Sequence, residues 1–537
     1  MPEKNRVYRA RIEGYTSEGL GVARIDGQAV FVHRALRGED CDVLILKVLK
    51  NAAFGKAVRV YEPSPHRVEP DCPYYGRCGG CDFRHMGRTE ELAAKRQRVQ
   101  DALRRIGGSA VTVEGIDGGA PLHYRNKSQY PVAADGSVGF YKARSHQVVP
   151  VAQCLIQKPQ ADAAAQALRT YIASCGVSCY DEKTRRGLVR YLYIRTNGAG
   201  QSLICVVVNG KKLPGEEELV RLLRQAAPET VGVVLGVNTQ PTGAVLGTEY
   251  RTLWGADVLT DTLCGLTFRL SVPSFYQVNR EMAERLYARA VEFAGLTGTE
   301  TVLDLYCGAG TITQVMARHA GRVIGAEIVP EAIEDAKANA KRNNVENVEF
   351  FCGDASAVAA DLAARGLRPD VICVDPPRKG LAPEVVRAAA QMAPRRIVYV
   401  SCDPATLARD VKLFGQEGYE AVRAAAVDMF PGTANVETIC LLSKLNAKQH
   451  IEINLDMDEL DLTDAEKKAT YQEIKDYVLE HSGLKVSSLY IAQVKQKCGI
   501  IERENYNKPK SEDAKQPQCP PDKEKAIKEA LTHFGMI

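Results

Sequence analysis

Five short apolar segments in the second half of the chain alternate with segments of helical pattern. These apolar segments begin at Val302, Val323, Val348, Val371 and Ile397. Strands that are joined through helices pair in parallel, because each helix returns the chain across one face of the sheet. The pattern therefore predicts a doubly wound, mostly parallel sheet, and such sheets bind their ligands at the carboxyl ends of the strands.

A glycine-rich turn follows the first of these strands. Residues 304–311 read Asp-Leu-Tyr-Cys-Gly-Ala-Gly-Thr, and Gly308 lets the backbone approach a ligand closely. Glu327 ends the next strand, where a carboxylate can accept hydrogen bonds from both ribose hydroxyls. The turn lacks the third glycine of the dinucleotide fingerprint and any Gly-Lys-Ser/Thr for phosphates. A nucleoside without phosphates, such as S-adenosylmethionine, fits better, with Asp354 near its adenine.

Two further strand ends carry reactive groups. Asp375 precedes Pro376, Pro377 and Arg378, and Cys402 lies in Ser-Cys-Asp-Pro after an apolar run. A thiolate that adds to C6 of uracil makes C5 nucleophilic enough to attack a methyl sulfonium, and a base must then remove the C5 proton. Cys402 suits the first role and Glu437 the second. The alternatives are an amino-methyltransferase, since such enzymes place Asn or Asp before Pro-Pro, and a buried structural cysteine at position 402.

A second group of cysteines lies near the N-terminus. Cys72, Cys78 and Cys81 form a tight cluster, and Cys154 is the best candidate for a fourth ligand. Four thiolates suit either zinc or a [4Fe–4S] cluster. Zinc sites usually pair two two-cysteine knuckles, whereas three close cysteines with one distant partner favour iron–sulfur.

Positive charge is concentrated in the first third of the chain. Residues 1–195 hold 31 Lys and Arg against 20 Asp and Glu, although the whole chain is only +4. Short glycine-rich strands in residues 5–61 predict a small β-barrel, and aromatic residues are interleaved with the cations around the cysteines. Both features are typical of single-stranded RNA recognition, although a solvated basic face is the plainer interpretation.

The N-terminus indicates where in the cell the protein is found, and the C-terminus carries a further segment, residues 446–537. The polar N-terminus lacks a signal peptide and no apolar run is long enough to span a membrane, so we expect a cytoplasmic protein without a membrane partner. Residues 446–537 are acidic. A capping box at 463–466 predicts one helix, apolar residues from Ile527 to Phe534 predict another, and a helix-turn-helix-like module is an option around 471–497.

Together these motifs resemble the bacterial RNA uracil-5-methyltransferases, in particular the iron–sulfur 23S ribosomal RNA (uracil-5-)-methyltransferases. The resemblance extends over about residues 5–445. It implies a TRAM-type RNA-binding barrel, S-adenosylmethionine as the methyl donor and a [4Fe–4S] cluster. The cluster ligands that it implies are Cys72, Cys78, Cys81 and Cys154.

The same resemblance assigns roles in the active site. Residues 275–279, Phe-Tyr-Gln-Val-Asn, are similar to the family's Phe-Phe-Gln-Val-Asn, whose Gln contacts S-adenosylmethionine. The family's other cofactor contacts match Tyr306, Glu327 and Asp375, its nucleophile matches Cys402 and its base matches Glu437. The family often has His where Asn435 stands, and the absence of that imidazole changes what orients Glu437.

We therefore expect a multidomain α/β enzyme. Its predicted parts are a TRAM-like barrel (1–61), a central iron–sulfur RNA-binding α+β domain (62–270), a Rossmann-like methyltransferase domain (271–445) and a C-terminal helical extension (446–537). The predicted activity is methylation of uracil C5 in 23S rRNA by a monomer. A transfer-RNA enzyme of the same chemistry and a non-catalytic iron–sulfur RNA-binding protein are the alternatives.

Overall fold

A computed structural model describes residues 1–445, 471–498, 519–534 and 536. The chain divides into two compact units, Met1–Asn446 and Ala447–Ile537. In the described parts of the chain, no helix is long and apolar enough to cross a membrane.

Six strands at the N-terminus form one sheet. In spatial order they are β1, β5, β6, β4, β3 and β2, and their bounds are β1 Val7–Arg11, β2 Gly14–Tyr15, β3 Gly21–Ile25, β4 Gln28–His33, β5 Asp40–Val48 and β6 Ala52–Glu62. Alternate residues such as Val30, Val32, Val43 and Ile45 are fully buried in one apolar cluster. The period of two that predicted strands here therefore also supplies the core of this small domain.

The cysteine segment leads into the first long helix, α1 (Arg88–Arg105), and then into strand β7 (Val113–Asp117). α1 buries Val99 and Leu103, and β7 buries Val113, in the core of the large C-terminal sheet. β7 also pairs in parallel with a strand of that sheet. This part of the chain is therefore built into the layer that carries the parallel strands, although it precedes them by about 180 residues.

A five-stranded sheet follows, in the order β14, β13, β12, β11 and β8, and two helices and two two-stranded sheets, β9 with β10 and β15 with β16, belong to the same part of the chain. The bounds are β8 Lys127–Pro131, β9 Gly139–Tyr141, β10 Val148–Pro150, α2 Pro159–Ser174, β11 Val189–Thr196, β12 Ser202–Val208, α3 Glu216–Ala226, β13 Thr230–Val237, β14 Glu249–Gly255, β15 Val258–Leu263 and β16 Leu266–Ser271. Helices α2 and α3 bury Leu168 and Leu219 against Ile204 and Val206 of the sheet. This part of the chain is therefore a mixed α/β sheet with its own apolar core.

The largest sheet has eight strands in the order β19, β18, β17, β20, β21, β23, β22 and β7. The elements from residue 280 onward are α4 Arg280–Ala294, β17 Thr301–Leu305, α5 Thr311–Ala317, β18 Arg322–Glu327, α6 Pro330–Arg342, β19 Val348–Cys352, α7 Ala355–Ala364, β20 Val371–Val374, α8 Pro383–Gln391, β21 Arg396–Ser401, α9 Pro404–Gln416, β22 Tyr419–Val427 and β23 Glu437–Lys444. Strands β17 to β21 pair in parallel, and β23 is antiparallel to both β21 and β22.

Both faces of this sheet are covered. Leu303 and Ile372 point into a cluster with α7, α8 and α9, whereas Val302 and Val371 point into a cluster with α4 and α5. Strands buried on both faces read as continuous apolar runs, which explains why these segments were recognisable in the sequence. The predicted doubly wound sheet is confirmed, and the order of its strands reverses beside β17, where such sheets bind ligands.

The second unit contains three described helices, α10 Tyr471–Ser482, α11 Ser488–Lys497 and α12 Pro521–His533. They share an apolar cluster that includes Ile474, Ile491 and Ile527. The helix predicted from Ile527 to Phe534 is present as the end of α12. The capping box predicted at 463–466 lies outside the described residues.

Candidate active site

One cavity of about 640 Å³ opens at the carboxyl edge of the parallel strands. Every catalytic and cofactor residue predicted from the sequence lines it. They are Gln277, Tyr306, Gly308, Glu327, Asp354, Asp375, Cys402 and Glu437. They come from seven separate segments of the chain, so the topology of the sheet brings them together.

The glycine-rich turn forms the floor of this cavity. Tyr306 has φ = 73°, a left-handed conformation that costs a side-chain-bearing residue roughly 1 kcal/mol or more. Tyr306 N and Cys307 N both donate to Ala326 O, which fixes this turn against the end of β18. A Cβ on Gly308 would meet no atom within 4 Å, so open space lies beside this backbone and a ligand can reach it.

Two acidic residues at the rim are already engaged by backbone amides. The Glu327 carboxylate accepts hydrogen bonds from Gly308 N at 3.2 Å and from Val329 N at 3.0 Å. Asp354 caps helix α7 by accepting from Ser356 N at 2.9 Å, and the hydrogen bond from the Ser356 hydroxyl, followed by those from backbone amides, holds the pKa of its carboxyl below the usual value. Both carboxylates are thereby oriented before any ligand arrives.

Strand register places Cys402 opposite Glu437. Ser401 at the end of β21 pairs with Thr438 near the start of antiparallel β23. One step further along this register, Cys402 faces Glu437. Cys402 is half-buried on the turn before α9, where Asp403 accepts a hydrogen bond from Ala405 N at 2.8 Å, and Glu437 is buried. A thiol and a carboxyl therefore lie beside one another in the lining of the cavity.

Burial and mutual repulsion disfavour negative charge in the cavity. Burial, with the nearby Glu437, raises the pKa of the Cys402 thiol to about 11. Burial, with the nearby Asp375, raises the pKa of Glu437 to about 8, and burial raises the pKa of Asp375 to about 7. A cation that entered this cavity would lower all three pKa values, because it stabilises the ionised forms. The cavity is therefore suited to a positively charged ligand.

Sequence reasoning assigned no role to Arg378 or Phe275, and both line the cavity. Arg378 lowers the pKa values of Cys402 and Glu437, so it favours the ionised forms of both. Phe275 is 65% exposed, and the ammonium of Lys127 lies 5.9 Å from the centre of its ring. The signal for Arg378 was its place directly after Asp-Pro-Pro, and that for Phe275 was its place two residues before Gln277.

The segment before Glu437 is held by residues from the first quarter of the chain. We call residues 428–436 the base loop. The ammonium of Lys95 on α1 donates to Asp428 at 2.6 Å and to Phe430 O at 3.1 Å, and it also contacts Glu91 at 2.8 Å. All three of its donors are thus paired, which a buried ammonium requires.

Further hydrogen bonds hold the rest of the base loop. Glu91 accepts from Gly432 N at 2.7 Å, the Tyr124 hydroxyl donates to Pro431 O at 3.1 Å, and Arg98 donates to Ala434 O at 2.6 Å. The Asn435 side chain donates to the Thr433 hydroxyl oxygen at 3.4 Å. The base loop is therefore fixed mainly from α1 and its neighbours.

The four predicted ligand cysteines line a second cavity of about 230 Å³. Burial raises the pKa of Cys81 to about 12 and that of Cys154 to about 11, and Cys78 and Cys72 lie near enough to add to the effect on Cys81. As placed, however, no three Cys, His, Asp or Glu side chains of the described residues converge closely enough to hold a metal ion. The structure therefore brings the four thiols to one cavity without showing a metal site.

The surroundings of these thiols fit an anionic group. Arg84 lines the same cavity, and its Nε and Nη2 are buried without a hydrogen-bond partner, although Asp71 lies 3.2 Å from Nε. Unpaired buried donors are costly, and an anion beside them removes that cost. Four thiolates around a metal or a cluster carry such negative charge.

Comparisons with known proteins agree with this geometry. The family model described as tRNA (Uracil-5-)-methyltransferase matches residues 88–445, and the TRAM domain model matches residues 3–58. An uncharacterized RNA methyltransferase of Clostridium tetani is 43% identical over 452 residues, covering 83% of this chain and 98% of its own length. One from Halalkalibacterium halodurans is 42% identical over 449 residues, covering 82% and 98%.

A solved structure extends the comparison. The tRNA (uracil-54, C5)-methyltransferase of Pyrococcus abyssi, in complex with S-adenosyl-L-homocysteine, superposes with a TM-score of 0.66 at 25% identity. The match covers 81% of this chain and 100% of that one. The fold and cavity thus define an S-adenosylmethionine-dependent RNA methyltransferase with an N-terminal TRAM domain. The chain belongs to the tRNA (uracil-5-)-methyltransferase family.

Proposed function

We propose that this enzyme methylates C5 of a uracil in 23S rRNA, with Cys402 as the nucleophile and Glu437 as the base. The observation that carries the mechanism is that Cys402, directly after β21, and Glu437, at the start of the neighbouring strand β23, line one cavity together. An amino-methyltransferase has no use for a thiol at that place. A non-catalytic protein has no use for a thiol, a base and a complete cofactor pocket together.

In this proposal the bound S-adenosylmethionine supplies an electrophilic methyl group on a sulfonium. Gln277, Tyr306 and Gly308 bind it from one side of the cavity. Glu327 would hold its ribose hydroxyls, Asp354 its adenine and Asp375 the end that reacts. The positive charge that the sulfonium brings offsets the repulsion among the buried carboxyls, which is why their raised pKa values support a cationic ligand.

The chain's own residues divide the reaction into two proton-coupled halves. The Cys402 thiol loses its proton to solvent, and the thiolate bonds to C6, so the electron pair of the C5–C6 double bond becomes available at C5 for the methyl group. Glu437 then takes the C5 proton, the double bond re-forms and the thiolate leaves. Arg378 favours the ionised form of both groups. The uracil must be flipped from its stack to reach Cys402.

We also propose that Cys72, Cys78, Cys81 and Cys154 hold a [4Fe–4S] cluster. Support comes from the donor set, since four thiols line one cavity, and from the buried Nη2 of Arg84 beside them, which has no hydrogen-bond partner. Four cysteines are the usual ligands of such clusters. This signature favours the ribosomal substrate, whereas the name of the Pyrococcus abyssi neighbour favours transfer RNA as the second candidate.

The first prediction separates the two catalytic roles. Cys402→Ala should abolish turnover and any covalent RNA adduct. Glu437→Gln should still transfer one methyl group and then remain bonded to the RNA, because the base that releases it is gone. Denaturing electrophoresis with labelled RNA and S-adenosylmethionine measures the adduct. Normal turnover by Glu437→Gln would show that another residue is the base.

The second prediction concerns the cysteine cavity. Protein purified without oxygen should contain about four irons per chain. Substituting Ser for any one of the four cysteines should lower that iron content, whereas Cys175→Ser, outside the cavity, should leave it unchanged. Metal analysis by mass spectrometry measures both. Stoichiometric zinc without iron would contradict the cluster.

The third prediction concerns the substrate. A strain lacking the protein should lose 5-methyluridine at one or more positions of 23S rRNA and keep it in transfer RNA. Nucleoside mass spectrometry of the two purified RNA fractions measures this loss. Loss from transfer RNA with unchanged ribosomal RNA would replace the first candidate by the second.

A further inference from the structure

The cysteine segment is hydrogen-bonded directly to the base loop. Asp82 N and Phe83 N both donate to Gly432 O, at 2.9 and 3.0 Å. The Asp82 carboxylate accepts from Ala434 N at 2.9 Å. Asp82 thus holds the base loop at two points, and the second point lies three residues before Glu437.

Asp82 also adjoins residues that line the cysteine cavity. Cys81 precedes it in the chain and lines that cavity. The Tyr75 hydroxyl donates to Asp82 O at 2.7 Å, and Tyr75 lines the cavity as well. An added Cβ on Gly432 would lie 3.9 Å from the Cys81 sulfur, which shows how closely the base loop approaches the thiols. A displacement of residues 78–82 therefore reaches the base loop through Asp82.

Gly432 makes this contact possible. Its φ of 79° lies in the left-handed region, where glycine is favoured. In this conformation its N–H reaches Glu91 at 2.7 Å while its carbonyl oxygen accepts from Asp82 and Phe83. The loop is therefore bound on one side by α1 and on the other by the cysteine segment.

We propose that Asp82 is a positioning residue for Glu437, and that it couples the four-cysteine cavity to removal of the C5 proton. The inference rests on the proposed role of Glu437 as the base. Asp82 touches neither the cavity of the active site nor Glu437 itself. It acts by fixing the backbone that leads into β23, so its loss slows adduct resolution while methyl transfer continues.

The test compares three variants of the full-length enzyme. Asp82→Ala removes the acceptor of Ala434 N, and Asp82→Asn keeps an oxygen that can accept it. Asp181→Ala is the matched control, because Asp181 also accepts a backbone amide, from Lys183 at 2.7 Å, and lines neither cavity. Loss of one such hydrogen bond slows the dependent step by roughly tenfold.

Two readouts are measured on each variant. Hydrogen exchange should become faster at Ala434 in Asp82→Ala, and adduct should accumulate with S-adenosylmethionine because resolution is about tenfold slower. Single-turnover methyl transfer should stay near the wild-type rate. Asp82→Asn should restore both readouts, and Asp181→Ala should match the wild type in both. Wild-type exchange at Ala434 in Asp82→Ala, or faster exchange with unchanged adduct resolution, would overturn the proposal.

The link to the cysteine cavity has its own measurement. Cys81→Ser should speed exchange at Gly432 and Ala434 before it affects the amides of β22 and β23. Unchanged exchange at these two amides would overturn the coupling. Should Glu437→Gln fail to accumulate adduct, the assignment of the base fails, and exchange at Ala434 in Asp82→Ala still decides whether Asp82 holds the loop.

Discussion

The buried ammonium of Lys95 joins the two halves of the Met1–Asn446 unit. It is 1% exposed and bonds Glu91, Asp428 and Phe430 O, so it ties α1 to the loop that precedes Glu437. Buried ion pairs add little net stability because desolvation offsets their attraction, yet removing one partner costs roughly 3–5 kcal/mol. The network therefore serves mainly to fix one geometry, and that geometry places the candidate base.

Two elements that precede residue 120, α1 and β7, are built into the layer of the catalytic sheet. β7 adds a parallel edge strand beside β22, and α1 covers the same face as α7, α8 and α9. α1 and β7 thus share one core with the methyl-transfer sheet, whereas strands β1 to β6 have a core of their own. Glu437 is positioned by residues that lie more than 300 positions earlier in the sequence.

Much of this architecture could be predicted because its signals are local. The parallel strands are apolar on both faces, and the glycine-rich turn, Glu327, Asp375 and Cys402 each follow a strand end. One cavity then gathers them, as the rule for such sheets requires. Arg378 was visible in the motif, but its effect on Cys402 and Glu437 depends on their spatial proximity.

The contacts of the base loop could not be predicted, because they join residues that are far apart in the sequence. Lys95 and Arg98 are among the cations near the cysteines, which the charge pattern assigns to RNA recognition or to a solvated basic face, and no pattern in the sequence singles out Asp82. Their roles arise from pairings across more than 330 residues, which no local pattern encodes. The Ser-Cys-Asp-Pro motif located the thiol, whereas the position of the base depends on tertiary packing.

The central claim is that the cysteine segment acts on catalysis through Glu437. A double-mutant cycle on steady-state turnover with Asp82→Ala and Glu437→Gln tests it most directly, because residues that act through one another give non-additive effects. The account predicts that Asp82→Ala lowers turnover roughly tenfold in the wild type and has almost no effect on the residual rate of Glu437→Gln. An equal fold-loss in both backgrounds would contradict it.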